Sequence, residues 1–460
     1  MKTPIIDEIL KLILKKGISF HTPGHKNGQV LASKLQEIWP REIWPFDLTE
    51  IDRLDNLHFP QGCIWESQRL TAEFFGARES FFLVNGTTVG IEAAIMALAY
   101  KEKIFIPRNA HKSIYSGAII ANSQIISLPV VFDQRLNIPL GLEPKVLEKY
   151  IKKNPTCKTL ILPNPNYQGI SYKVEENIQI AKEHGIKVIL DEAHGSHFLL
   201  GDLFPKTGLA LGADIVIQSW HKTLPALTQA SVLHVNKNYQ GPNLKPYLNL
   251  LQSTSPSYLL LASLEGARFF LEEARESVGN IINNILKFKT SLSSLSNFEI
   301  GVDTAEPQDP LKLCVASPML TGKQLAELLQ ERYSIYPELA TDEYILFILG
   351  LTEDNTNLEK LRSALTEINQ MMANLPERDK PSLASLDIVY QQQMPIQEAF
   401  HSEKEMLPLQ KSLGRICGQF VTKYPPGIPY LIPGEEITKE IINSGENFML
   451  EVVREGVSKK

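Results

Sequence analysis

Cysteine is scarce. The four residues, Cys63, Cys157, Cys314 and Cys417, are scattered over 460 positions with no C-x-x-C spacing, which excludes a disulfide framework and a zinc knuckle and reads as reduced thiols. Long hydrophobic runs are missing as well: stretches such as 186–190 and 258–262 fall far short of the roughly 20 apolar residues that cross a bilayer, so no membrane helix is expected. Positive charge is not in excess, since 46 Lys and Arg stand against 52 Asp and Glu for a net charge of −6. No broad basic field for nucleic acid or anionic lipid follows from that balance. No internal repeat or low-complexity tract is found. The first 16 residues mix Asp7 and Glu8 with Lys11, Lys15 and Lys16, and their apolar positions follow helical spacing, so they read as an amphipathic helix rather than a signal peptide. A cytoplasmic protein is expected.

What is present is an ordinary globular composition, 43% hydrophobic and 21% charged, with room for two or three domains at about 100–200 residues each. From 81 to about 235 short apolar runs (81–84, 103–106, 124–128, 158–162, 186–190, 214–218, 230–235) alternate with helical patterns (89–100, 111–121, 143–152, 175–183). That rhythm predicts an α/β fold with a mostly parallel sheet, whose ligands lie at the carboxyl ends of the strands. Residues 20–62 carry Pro, Gly, His and Trp without a period and suggest an irregular arm. Residues 259–292 read as one long helix or two, 311–351 as a smaller α/β domain, and a break near 374–382 precedes a last piece with a turn-rich stretch at 424–436. The expected organisation is a helix and arm over 1–65, a large domain over 66–260, a small α/β domain over 261–375 and a C-terminal domain over 383–460.

Four strand ends carry candidate chemistry. Ser219-Trp220-His221-Lys222 follows the 214–218 run, placing a lysine where it could form a Schiff base while the neighbouring hydroxyl and imidazole hold an anion. The bland alternative is an exposed loop lysine. The 186–190 run leads into Asp191-Glu192-Ala193-His194-Gly195-Ser196-His197, where a carboxylate can keep a pyridine nitrogen protonated. A helicase reading of Asp-Glu-Ala-His needs a G-x-x-x-x-G-K-[ST] loop, which the chain lacks. A metal site from Asp191, His194 and His197 lacks H-E-x-x-H spacing, and no metal is expected. Asn85-Gly86-Thr87-Thr88 opens a helix, a place for a phosphate or simply a capped turn. His111 stands at another strand-to-helix junction, where it could stack on a flat ring or cap the helix. Together these form the parts of a pyridoxal phosphate site.

The same segments carry a resemblance. Phe20-His21-Thr22-Pro23-Gly24-His25-Lys26, Asp47-Leu48-Thr49-Glu50, Leu83-Val84-Asn85-Gly86-Thr87-Thr88, His111-Lys112-Ser113, Asp191-Glu192-Ala193-His194-Gly195, Ser219-Trp220-His221-Lys222-Thr223-Leu224, Gln252-Ser253-Thr254-Ser255-Pro256-Ser257-Tyr258 and Tyr424-Pro425-Pro426-Gly427-Ile428-Pro429 run in order through nearly the whole chain. They are similar to the short bacterial members of the pyridoxal-phosphate-dependent ornithine/lysine/arginine decarboxylases, which have the aspartate-aminotransferase fold. The resemblance implies that Lys222 carries the cofactor, Asp191 pairs with the pyridine nitrogen, and His111 stacks on the ring with His194 beside it. Gly86, Thr87, Thr88, Ser219 and His221 would surround the phosphate. It also implies a homodimer with sites at the subunit interface, toward which the 20–62 arm reaches. Three positions depart from the family: Trp220 replaces a small residue, Glu265 replaces a common Asp, and the 163–169 loop matches only loosely.

The reading is decarboxylation of a small basic amino acid, arginine before lysine or ornithine, to CO2 and the corresponding polyamine-type amine. An aminotransferase or elimination lyase is the alternative within the fold, and a non-catalytic pyridoxal-binding protein the alternative outside it. Asp47, Glu50 and Glu338 are candidate carboxylates for the substrate's cationic side chain. Neither nucleic acid nor a membrane is an expected partner.

Overall fold

A computed structural model describes residues 2–51, 53–352, 354–378, 392–422, 427–443 and 448–455. Part of the expected break at 374–382, the start of the C-terminal piece, and residues 424–426 of the turn-rich stretch lie outside the described residues. The chain divides into two compact units, Met1–Ala97 with Ile189–Gly279 and Leu98–Val188 with Asn280–Lys460.

In the first unit, strand Glu79–Leu83 lies beside Ser231–Val235, then Ile215–Gln218, then the end of Lys187–Asp191. Ile189–Asp191 pairs in parallel with 215–217, whereas Ser231–Val235 runs antiparallel to both neighbours. Strands 215–218 and 231–235 are buried at every position, the environment that selects unbroken apolar runs over alternation. Helix Gly86–Ala99 sits close on this sheet, because a Cβ at Gly90 would come 2.7 Å from Leu83 Cδ1 and 3.1 Å from Ile217 Cγ2. The edge strand is closed by side chains: the N–H groups of Phe82 and Val84 donate to Gln68 Oε1 (3.2 Å) and Gln252 Oε1 (3.0 Å), which blocks pairing with another chain.

The expected amphipathic helix is Pro4–Leu14, burying Ile5 and Ile9. Its N-terminal amides of Ile5 and Ile6 donate to Glu265 Oε1 (3.1 Å) and Oε2 (2.8 Å). Glu265 belongs to a single 35-residue helix, Tyr258–Leu292, which settles the expectation of one helix or two. The arm is less irregular than expected. It holds a helix, Ser33–Ile38, and a 3-10 turn, Arg41–Phe46, with Trp39 stacked on Trp44 at 5.2 Å.

In the second unit Thr159–Pro163, Lys103–Pro107 and Gln124–Leu128 run side by side, all parallel. A hairpin of Val131–Asp133 and Ile138–Gly141 follows, where no strand was expected. The small sheet, Glu299–Ile300, Lys312–Ala316, Tyr344–Ile348 and Leu339–Ala340, is antiparallel throughout. Near the C-terminus Lys404–Pro408 pairs with Met449–Val453 over a core of Leu409, Cys417, Leu431, Ile437, Ile441, Leu450 and Val452. The fold is α/β with mostly parallel central strands. All four cysteines are free and buried.

Candidate active site

The sheet of the first unit fixes which side chains share a face. Asp191 pairs with Ile217, and the Glu192 N–H continues the ladder to the Ile217 carbonyl at 2.8 Å. Because successive strand residues alternate, Asp191, Ile217 and Ser219 project to one face and Glu192 and Gln218 to the other. Helix Gly86–Ala99 packs on the Ile217 face, so its N-terminus arrives beside Ser219: Thr87 and Ser219 hydroxyls are 3.1 Å apart. Gly86 takes φ +77° where a Cβ would meet no neighbour. Thr88 is exposed at the same helix end.

Ser219 then occupies the N-cap position of the four-residue helix Trp220–Thr223, without a side-chain cap bond, and Lys222 Nζ of that helix lies 3.1 Å from His194 Nε2. Asp191 is buried, and its Oδ1 accepts from the Ala193 N–H at 3.2 Å. His221 turns aside, its Nδ1 3.1 Å from the Ala230 carbonyl. Burial holds the His221 imidazole below its ordinary pKa, the Ala230 bond opposes that shift, and the charge of Lys222 adds to it. His197 is fully buried between Phe198 and Phe204, with ring centroids at 5.0 and 4.9 Å, while His194 turns to Lys222. The two histidines serve different surroundings. Among the described residues no group of three His, Cys, Asp or Glu is placed to hold a metal ion.

On the opposite face is a polar network that sequence reading missed. Glu192 is fully buried; its Oε1 accepts from the Gly208 N–H and its Oε2 from Gln218 Nε2, both at 2.6 Å. Gln218 Oε1 receives Trp220 Nε1–H at 3.0 Å and lies 3.2 Å from His234 Nε2. Burial pushes the Glu192 carboxyl up to about 8 and the His234 imidazole down to about 3. The only signal in the sequence was Trp220 in place of a small residue.

His111 belongs to the second unit. There it caps helix Lys112–Ile120, its Nδ1 accepting from the Ser113 N–H at 3.2 Å, which leaves Nε2 as the protonated nitrogen of the neutral ring. Its loop is tied to the C-terminal segment. Arg108, buried, donates to the carbonyls of Pro429 (2.8 Å) and Tyr430 (3.0 Å) and to Glu435 Oε2 (3.0 Å), and the Lys112 N–H donates to the Gly427 carbonyl at 3.0 Å. Of the candidate carboxylates, Asp47 lies 3.2 Å from His25 Nε2, and Glu338 accepts from the Tyr167 hydroxyl. Glu50 Oε1 is buried with no hydrogen-bond partner among the described residues.

Comparison with known proteins gives the family. The Orn/Lys/Arg decarboxylase major domain matches residues 3–309 and the Orn/Lys/Arg decarboxylase C-terminal domain residues 379–450. The chain belongs to the Orn/Lys/Arg decarboxylase family. It is a basic-amino-acid decarboxylase, a carboxy-lyase. The uncharacterized protein YaaO of Bacillus subtilis is 36% identical over 457 residues, covering 96% of this chain and 93% of its own. An arginine decarboxylase of the same organism is 33% identical over 453 residues, covering 96% and 92%. The solved structure of the Francisella novicida lysine decarboxylase LdcF shares the fold with a TM-score of 0.83 at 20% identity, over 98% of this chain and 81% of that one. No helix among the described residues of this decarboxylase is long and apolar enough to cross a membrane.

Proposed function

We propose that this decarboxylase acts on arginine with pyridoxal phosphate as its cofactor. One observation carries the proposal: a lysine amine, a buried carboxylate and a pair of hydroxyls at a helix N-terminus converge at neighbouring strand ends of a single compact unit. That donor set fits the cofactor's three functional groups. Thr87, Thr88 and Ser219, with Gly86 and the first amides of helix Gly86–Ala99, suit a phosphate; the resemblance would add His221, whose Nδ1 faces the Ala230 carbonyl. Lys222 suits the aldehyde, and Asp191 a protonated pyridine nitrogen. Bound there, pyridoxal phosphate supplies a sink for the electrons left at Cα when CO2 departs.

The residues of this chain do the rest. Lys222 would hold the cofactor's aldehyde carbon until the substrate amine arrives. Asp191, buried, would keep a proton on the ring nitrogen. His194, at hydrogen-bond distance from Lys222, and Lys222 itself are the groups that can return a proton to Cα. By the resemblance alone, His111 would be the group that stacks on the ring. The choice of arginine rests on the arginine decarboxylases at 32–33% identity over nearly the whole chain. The proposal extends to a cytoplasmic homodimer with the 20–62 arm shared between sites, and to a division into the arm, a cofactor domain over 66–260, a small domain over 261–375 and a C-terminal domain over 383–460.

The test is to incubate the purified protein with arginine, lysine and ornithine separately, measuring CO2 and identifying the amine, then to reduce the holoenzyme with borohydride and map the labelled peptide. Arginine should be consumed fastest, one CO2 released per amine formed, and the label should fall on Lys222. A keto acid without CO2 would replace the proposal with an aminotransferase, and a label on any other lysine would remove Lys222 from its role.

A further inference from the structure

Trp220 is fully buried, stacked on Phe75 at 5.5 Å with 25° between the planes, and Phe75 in turn stacks on His234 at 4.5 Å. An indole nitrogen can only donate. Its bond to Gln218 Oε1 therefore fixes which end of that amide faces it, and the other end, Nε2, must donate to Glu192 Oε2. The remaining contacts agree with this direction. Gly208 offers a backbone N–H to Glu192 Oε1, and His234 reaches Gln218 Oε1 with Nε2 while its Nδ1 lies 2.8 Å from the Ser80 hydroxyl. A flipped Gln218 would set N–H against N–H at the tryptophan. Both ends of this chain of bonds adjoin the site: Glu192 follows Asp191 directly, and Trp220 opens the helical turn of Lys222. A second tie, Ser196 Oγ to Thr223 Oγ1 at 2.6 Å, joins the same two segments.

We infer that Trp220 is a positioning residue: through Gln218 it locks the strand end bearing Asp191 and Glu192 to the turn bearing Lys222, and its donor-only indole sets the direction of the hydrogen bonds between them. The inference rests on the proposed roles of Asp191 and Lys222. It gives this chain's departure at Trp220 a function, because a small residue there could neither stack on Phe75 nor orient Gln218.

The experiment compares wild-type holoenzyme with Trp220→Phe, which keeps an aromatic body and deletes the N–H, and with Gln218→Met, which breaks the link at its centre. The first readout is the pH midpoint of the cofactor's visible absorbance without substrate. It should move by about half a pH unit or more in both variants, since the lysine's proton affinity depends on its placement against the Asp191 end. The second is kinetic: kcat should fall about tenfold with KM within about twofold, the pattern of an interaction realised in the transition state. The third needs no catalysis. The chain has four tryptophans, so 15N-indole spectra can follow Trp220 singly; its N–H should resist solvent exchange and shift in Glu192→Gln. Should Trp220→Phe fail to fold, Gln218→Met and the indole readout decide. Midpoint and kcat unchanged in folded variants, or a freely exchanging Trp220 indole in the wild type, would overturn the inference. Borohydride mapping on the same preparations separates the two failures. A label on Lys222 with an unmoved midpoint defeats the positioning role alone; a label elsewhere defeats the cofactor assignment beneath it.

Discussion

Glu192 is a carboxyl group without solvent. Burial is the largest cause of its rise to about 8, opposed by the Gln218 and Gly208 hydrogen bonds and reinforced by the neighbouring Asp191. In the unfolded chain the same group titrates near about 4.3. Between those values the folded protein keeps a proton that the unfolded chain has released, so stability falls as pH rises across the window, by up to about 1.4 kcal/mol per pH unit, and levels off above it. His234, held down to about 3, acts with the opposite sign: its contribution is present above about 6.5 and is lost as pH falls toward 3. Glu192→Gln abolishes the first effect and keeps the second. Urea unfolding of wild type and Glu192→Gln across roughly pH 5 to 8 should show the wild type losing stability relative to the variant as pH rises. Parallel curves would mean that Glu192 is already ionised at the acid end.

At the scale of elements, Glu265 explains itself as a cap placed from another helix. The first amides of Pro4–Leu14 lack intrahelical partners, and Thr3 makes no side-chain cap; the buried Glu265 carboxylate accepts from two of them. Removing it strands those amides. Glu265→Ala should cost about 2–4 kcal/mol, two hydrogen bonds to a charged group with their burial, and should expose the N-terminal helix to limited proteolysis before the rest unfolds. Glu265→Asp, one methylene shorter, should recover part of the loss. Global melting unchanged in Glu265→Ala would show the helix to be held without this cap, by contacts such as the buried Ile5 and Ile9.

The same scale shows what the sequence could disclose. Lys187–Asp191 and Ile215–Gln218 are unbroken apolar runs ending in polar residues, so their existence and the strand-end places of Asp191 and the Lys222 turn were legible from burial logic. Strand direction was not: 312–316 and 344–348 bracket a helix in a β-α-β pattern yet pair antiparallel, because periodicity records faces and not polarity. The 131–141 hairpin escaped notice since its first strand is half-buried at every position and leaves no apolar alternation. Gln218 and Glu192, 26 residues apart and bonded, read in the sequence only as polar strand termini. His111 was legible as a junction residue, but its tie to Gly427 through the next amide was not, since no local pattern reports a partner so distant in sequence.

For the whole molecule, the proposed dimer makes a prediction about Glu50, whose buried oxygen lacks a partner among the described residues. If the arm completes the other subunit's site, inactive Lys222→Ala and inactive Glu50→Gln chains should, when mixed, form heterodimers with one intact site. Activity should return to roughly a quarter of wild type in a statistical mixture, half the molecules carrying one good site of two. Confirmed heterodimers without activity would assign Glu50 to its own subunit's site or to none.

Arg108 and Glu435 stand 327 residues apart in the chain. At a synthesis rate of about 5–20 residues per second, the carboxylate follows the guanidinium from the ribosome by roughly 16–65 s. Until residue 427 is made the loop of His111 lacks the Gly427 carbonyl, and until residue 435 is made Arg108 lacks its ion pair. The strands of 103–163 and the His111 cap on helix Lys112–Ile120 draw on nearby sequence, but the loop's tie to the C-terminal segment waits for the last part of the message. A chain released before residue 427 would therefore possess every candidate cofactor residue and still leave the loop of His111 without its tie to the C-terminal segment.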